Sequence, residues 1–206
     1  MKQIHTTAFS LSGVGQVSRS LTNINSSACS IFIIKPGSLK AILKGKQLNI
    51  TIQRLCHQML EKHGDMANTV LIGIQTGGVY LADKMVEHLT IEHLNEINYG
   101  KLDITFYRDD LRKELHVANN TDIPFSIEDK NVILIDDVLY TGRTIRAALD
   151  ALQDFGRPKK VELCVLIDRK DSRQLPIQPD YCGMSIYSEI SQRVKVAWES
   201  EEVILL

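Results

Sequence analysis

The chain has 206 residues, 44% of them hydrophobic and 24% charged, with a formal net charge of −1. That length and balance suit one globular domain with a sizeable core. No apolar run approaches the ~18 residues of a membrane span, and near-neutrality removes any global electrostatic case for nucleic acid, so an RNA site would have to be a local patch.

Residues 1–38 carry eight serines, three basic residues and no acid; the first acidic residue of the chain is Glu61. An acid-poor, Ser-rich start is the composition of an organellar transit peptide. Only Arg19 is an arginine there, however, and no clear amphipathic helix emerges. No basic region leads into an apolar core as in a secretory signal. The preferred reading is a disordered N-terminal extension, such as an over-long translation start, ahead of a domain at 39–206.

Leu48, Ile52, Leu55 and Met59 recur at helical spacing, with Gly64 as the stop. Thr69 to Ile74 reads as a strand, Gln75 to Gly78 as a turn and Val79 to His93 as a crossover helix. Lys101 to Phe106 reads as a strand. Residues 107–124 form a long polar stretch, and loops beyond ~12–15 residues are usually functional or disordered. Val132-Ile133-Leu134-Ile135 is a buried strand with Asp136 and Asp137 where it should end. A turn with Thr141, Gly142 and Thr144 follows. The next helix places Ile145, Ala148, Leu149 and Leu152 on one face and is broken by Gly156 and Pro158. Val161 to Ile167 is another buried strand, 168–190 is irregular, and Arg193 to Trp198 is a last strand. The apolar tail 203–206 could pad the core or a subunit contact. Strands alternating with helices imply right-handed β-α-β units and a mainly parallel, doubly wound α/β sheet. Ligands bind such sheets beyond the carboxyl ends of the strands, where 75–78, 136–144 and 168 onward all fall.

The segment Val132–Thr144 is a chemical device. Its two acids can accept hydrogen bonds from ribose 2- and 3-hydroxyls. The N–H groups of the turn and of the first helical turn can hold a 5-phosphate. Two plainer readings stay open: such acids hold Mg²⁺ in other doubly wound proteins, and Thr141 is a helix N-cap. No G-x-x-x-x-G-K-[ST] is present, so a nucleotide P-loop is excluded.

D-D-V-L-Y-T-G-R-T (136–144) resembles the phosphoribosyl pyrophosphate (PRPP) motif of type I phosphoribosyltransferases. It is most similar to that of the pyrimidine operon attenuation proteins that double as uracil phosphoribosyltransferases. G-I-Q-T-G-G-V-Y-L-A (73–82) resembles that family's pyrophosphate loop, L-D-I-T-F-Y-R-D-D-L (102–111) its flexible-loop entry, and L-I-D-R…L-P-I…D-Y (166–181) its base-covering hood. The likeness spans residues 39 to 198. It implies the type I phosphoribosyltransferase fold with an irregular hood, and conversion of uracil and PRPP to UMP and pyrophosphate. It further implies Mg²⁺ carried by PRPP rather than a resident metal, a homo-oligomer, a pyrimidine-operon messenger RNA as partner, and a cytoplasmic location without membrane contact.

The resemblance implies these roles residue by residue. Asp136 and Asp137 orient the ribose hydroxyls, and Arg108 reaches the pyrophosphate. Thr76 and Gly77 bind pyrophosphate, while Val138, Leu139, Tyr140, Thr141, Gly142, Arg143 and Thr144 form the phosphate cradle. Arg169 is a hood arginine contacting ligand, and Val194 is a backbone position near the base. Arg54, His57, Lys62 and Arg173 are candidates for RNA. The chain departs from the family where K-T-R-G is usual: Gln75-Thr76-Gly77-Gly78 lacks both basic side chains. Each lost charged contact would cost about 1–3 kcal/mol, so turnover is expected to be weakened. A competing reading is therefore a non-enzymatic, UMP-sensing RNA-binding attenuator; a third is a generic phosphate-binding module. Cys29, Cys56, Cys164 and Cys182 show no C-x-x-C spacing and read as reduced thiols of a cytosolic protein. The six histidines are scattered and read as surface residues, with His57 on a helix.

Overall fold

The computed structural model describes residues 31–33, 40–93, 96–109, 119–189 and 191–206. Cys29, His116 and most of the 1–38 segment lie outside these, as does the centre of the long polar stretch. Six strands form an all-parallel sheet in the order β1-β7-β6-β5-β3-β4. They are β1 (Ile31–Ile33), β3 (Thr69–Ile74), β4 (Tyr99–Leu102), β5 (Asn131–Leu139), β6 (Lys160–Arg169) and β7 (Tyr181–Tyr187). Three more strands, β2 (Lys40–Lys44), β8 (Val194–Ala197) and β9 (Glu202–Leu205), make a separate antiparallel sheet with β9 in the middle. The helices are α1 (Lys46–His63), α2 (Gly77–His93) and α3 (Arg143–Leu152).

Alternation along the central strands builds a core on each face. Ile133 and Ile135 of β5 join the cluster under α1 and α2, with Leu48, Leu55 and Leu81. Val132 and Leu134 join the cluster under α3, with Ile145, Ala148 and Ala151. The sheet is thus doubly wound, as expected. β3 leads through α2 to β4 on one side, and β5 leads through α3 to β6 on the other. The order reverses between β3 and β5, and such a switch point opens a crevice beyond the strand ends.

Several sequence expectations need correction. The strand expected at 101–106 is β4, and it stops at Leu102. Asp103 then bonds the Thr105 N–H at 3.0 Å and the Thr105 hydroxyl at 2.7 Å, turning the chain into a short 3-10 helix, Thr105–Tyr107. The 168–190 segment is not wholly irregular: β7 runs through it. Gly183 masked that strand, yet a Cβ there would fall on the Leu166 carbonyl oxygen, so the neighbouring strand demands a glycine. Residues 203–206 belong mostly to β9, whose Val203 and Leu205 are buried. In α3 the buried residues are Ile145, Ala147, Ala148, Ala151 and Leu152, whereas Leu149 is exposed. Small alanines let α3 lie close on the sheet. Residues 31–33, inside the segment read as an extension, pair with Ser185, Ile186 and Tyr187 as an edge strand.

Candidate active site

The signature strand does not stop at its acids. β5 pairs with β3 as far as Ile135, opposite Gly73, then continues to Leu139 against β6 alone. The acids therefore lie where one neighbour has ended and the other persists. Because the strand continues, its side chains still alternate, and the two carboxylates face different ways. Asp136 lines a cavity of about 310 Å³ together with Arg108, residues 138–144 and Gln174. Asp137 is not part of that lining and lies on the α2 side. A Cβ added to Gly77 would fall on its carboxylate, and one added to Gly78 would fall on the Ile135 carbonyl oxygen. The two glycines let the start of α2 close onto β5.

Burial pushes the Asp136 carboxyl well above the usual range. The Asp137 charge adds to that rise, and Arg108 acts against it. Burial also raises Asp137, against backbone N–H groups that favour its charge. Two acids with raised affinity for protons are poised for a substitute: hydroxyl donors or a cation. Among the described residues no group of three or more His, Cys, Asp or Glu is arranged to hold a metal ion.

The other end of the cavity is built by the turn after β5. Gly142 is left-handed at φ 92°, and it precedes the first residue of α3. The first N–H groups of a helix lack intrahelical acceptors and face this turn. Gln174 and Leu175 donate their N–H groups to the Thr141 carbonyl at 3.0 and 3.2 Å, so the segment after β6 folds over the cradle. The Arg143 side chain reaches outward, to Gln174 at 3.0 Å and Asp109 at 3.0 Å.

Not every expected residue meets in this cavity. Thr76 is exposed in the β3–α2 turn. Arg169 is 4% exposed and stands 4.1 Å from the Tyr140 ring centre, held by Ser188 and the Glu189 carbonyl. It reaches the cradle through Tyr140 rather than lining it. Val194 opens β8 opposite Leu205 and packs on the α1 side of the core. Arg54, His57 and Lys62 share α1. Arg54 lines a second cavity of about 210 Å³ with Lys170, Gln178 and Cys182. Arg173 stands apart from them: it pairs with buried Asp168 and donates to the Tyr140 carbonyl. Sequence reasoning passed over Gln174, Tyr107 and Asp109 as contributors to the site. For the latter two, the signal was their place on either side of Arg108.

Residues 38–201 match the phosphoribosyl transferase domain family. The chain belongs to that family. Within it, the chain is 46% identical over 157 residues to the Bifunctional protein PyrR of Desulfosudis oleivorans, covering 75% of this chain and 87% of the relative. It is 44% identical over 162 residues to the Bifunctional protein PyrR of Bacillus subtilis, covering 76% and 89%. The fold matches a hypoxanthine-guanine phosphoribosyltransferase of Bacillus anthracis with a TM-score of 0.62 at 18% identity, over 81% of this chain and 98% of that one. It also matches the hypoxanthine phosphoribosyltransferase of Trypanosoma cruzi in a ternary substrate complex, with a TM-score of 0.65 at 17% identity, over 82% and 95%. The fold is thus the type I phosphoribosyltransferase fold, and the chain falls in the branch of the bifunctional PyrR proteins.

Proposed function

We propose that this chain is a pyrimidine operon regulator with uracil phosphoribosyltransferase activity. It joins uracil to the ribose of PRPP, releasing pyrophosphate. N1 of uracil bonds to C1 of the ribose, the bond from C1 to pyrophosphate oxygen breaks, and the N1 proton leaves to solvent. The observation that carries the reading is the single cavity lined by Asp136, Arg108 and residues 138–144. Its turn binds the 5-phosphate through N–H groups, and Asp136 accepts a bond from a ribose hydroxyl. Asp137, beside Gly77, faces the pyrophosphate turn that Thr76 shares. Arg108 sits over the Asp136 side, where it offsets leaving-group charge.

Mg²⁺ fits this site as cargo of PRPP. The ion prefers oxygen ligands and keeps several waters, and Asp136 and Asp137 are the carboxylates that would meet it. When bound, it supplies charge neutralisation on the pyrophosphate. We place the function in the cytoplasm and in the unit formed by 39–206, with β1 added at its edge.

The regulatory half rests on α1. Arg54, His57 and Lys62 lie along it, and Arg54 shares the second cavity with Lys170 and Gln178. Lys62 already faces Glu162 at 2.8 Å, which lowers the charge available to a messenger RNA. A UMP sensor without turnover remains the second reading, favoured by the uncharged Gln75 and Gly77. The test is formation of labelled UMP from uracil with PRPP and Mg²⁺. Product formation at a measurable rate supports the bifunctional reading. UMP binding without any product selects the sensor.

A further inference from the structure

Arg108 is the cation of the described cavity lining that faces the Asp136 side, and it follows a 3-10 helix at the edge of the long polar stretch. Its own backbone is extended, at φ −82° and ψ 132°. In extended chain, neighbours point to opposite sides. Neither Tyr107 nor Asp109 lines the cavity that Arg108 lines; Asp109 finds partners on α3, and Tyr107 finds one just past its end.

The Tyr107 ring packs on the core under α3, and its hydroxyl donates to Asp154, two residues past the end of α3. Asp109 accepts from Arg143 at 3.0 Å and stands 3.3 Å from Arg146, one turn along. Arg146 is braced in turn by Asp150 at 3.1 Å. Single exposed ion pairs are weak. Here they are joined to a phenol–carboxylate bond and to ring packing, one on each side of a single residue. The helix whose first turn forms the phosphate cradle, with the turn that follows its end, thus also fixes the arm that presents Arg108.

We propose that Tyr107 and Asp109 are positioning residues that moor Arg108 over the cavity through Asp154, Arg143 and Arg146. The assignment rests on the reading of the cavity as a PRPP site. It gives Arg143 a second task, since its side chain ties the arm to α3 and to Gln174 while its backbone opens the helix.

A double-mutant cycle tests this. Tyr107→Phe with Asp109→Asn is made in the natural chain and in an Arg108→Gln background. Calorimetry with PRPP and Mg²⁺, and separately with UMP, reads the affinities. We expect the pair of changes to weaken PRPP binding at least about fivefold in the natural chain and less than about twofold in the Arg108→Gln background. UMP, which has no pyrophosphate, should change less than about twofold, and Asp109→Glu should keep natural PRPP affinity. Tyr107→Phe alone keeps the ring in place and gives part of the same loss should the pair fold poorly. An equal loss for UMP, or an undiminished loss without Arg108, would show a general structural role and overturn the proposal. So would natural PRPP affinity in the paired variant when Arg108→Gln itself weakens PRPP. Natural PRPP affinity in Arg108→Gln alone would instead remove the underlying assignment of Arg108, and the mooring role with it.

Discussion

At the carboxyl end of β5, Asp136 and Asp137 are consecutive but face opposite ways, and burial and the Asp137 charge push the Asp136 carboxyl up. At the amino end of β6, Glu162 is fully enclosed, yet its carboxyl is held below the usual range. Burial alone would raise it, but Lys160 at 2.6 Å, Lys62 at 2.8 Å, Tyr181 at 2.6 Å and His63 at 2.8 Å outweigh that. His63 also meets Thr69 at 3.1 Å, so it belongs to this interior cluster and corrects the reading of the histidines as surface groups. One end of the sheet satisfies its acid from within the chain. At the carboxyl end of β5, Asp136 and Asp137 are under-compensated, unlike Asp168 beside them on β6, which Lys170 and Arg173 pair, and that is a state a ligand can relieve. The contrast separates a carboxylate that serves the fold from the two carboxylates proposed to meet a substrate.

The largest effect should come from removing the under-compensated pair. Asp136→Asn with Asp137→Asn should abolish the thermal protection given by UMP or PRPP. Ligand at 100 times its dissociation constant otherwise adds about 2.7 kcal/mol. Product formation should fall by about 100-fold or more, from two charge-assisted bonds at about 1.5–3 kcal/mol each. The free protein should respond in the opposite sense. A carboxyl raised in the folded state contributes stability below its ordinary value near ~4 and loses it as pH rises above that value. The double variant should therefore lose less stability between pH 4 and 8 than the natural chain, in melting temperatures taken without ligand. Unchanged ligand protection would break the comparison at its active end.

Glu162→Gln probes the other end with a smaller effect. The charge leaves, while Lys62 and Lys160 can turn to water because both are about half-exposed. The cost should be about 1–3 kcal/mol of stability, with UMP affinity unchanged within about twofold. The sign of the pH dependence is reversed here. A carboxyl lowered on folding contributes stability above its ordinary value near ~4.3 and loses it as pH falls. The natural chain should therefore soften in acid more than the variant does, as followed by circular dichroism from pH 6 to 3. A variant that loses UMP binding as well would show that the two ends are coupled.

This division was only half legible in the sequence. The apolar run before Asp136-Asp137 and the small-residue turn after it pointed to the cradle, because both are local in the chain. The separate facing of the two acids was not legible, since it depends on β3 ending at Ile74 while β6 continues beside β5 to Leu139. Glu162 was hidden for the same reason. Its partners come from α1, β6 and β7, and only the assembled sheet brings them within 3 Å. β7 and β9 were missed because neither carries a strong local pattern. Gly183 is dictated by the backbone beside it, and β9 finds its partners in β2 and β8.

The pyrophosphate turn gives the smallest and sharpest test. The ligand end lacks a cation at Gln75 and Gly77, and restoring both charges looks equivalent on paper. The structure separates them. Gly77 has no room for a Cβ, since the Asp137 carboxylate fills that place, so Gly77→Arg should displace the Asp137 carboxylate and lower PRPP affinity. Gln75 is partly exposed, and its amide donates to the Asn120 carbonyl at 3.3 Å. Gln75→Lys gives up that weak bond and adds a charge beside the turn proposed to face pyrophosphate. If the charge returns even ~1 kcal/mol in the transition state, the rate of UMP formation rises about 5-fold. UMP affinity should stay within about twofold, because UMP carries nothing at that subsite. Steady-state rates at saturating uracil, over a range of PRPP, decide the matter. A natural rate already in the usual range of ~1–10³ s⁻¹ with no gain from Gln75→Lys would mean that Arg108 and the Mg²⁺ on PRPP suffice, and that the missing charges cost this chain nothing.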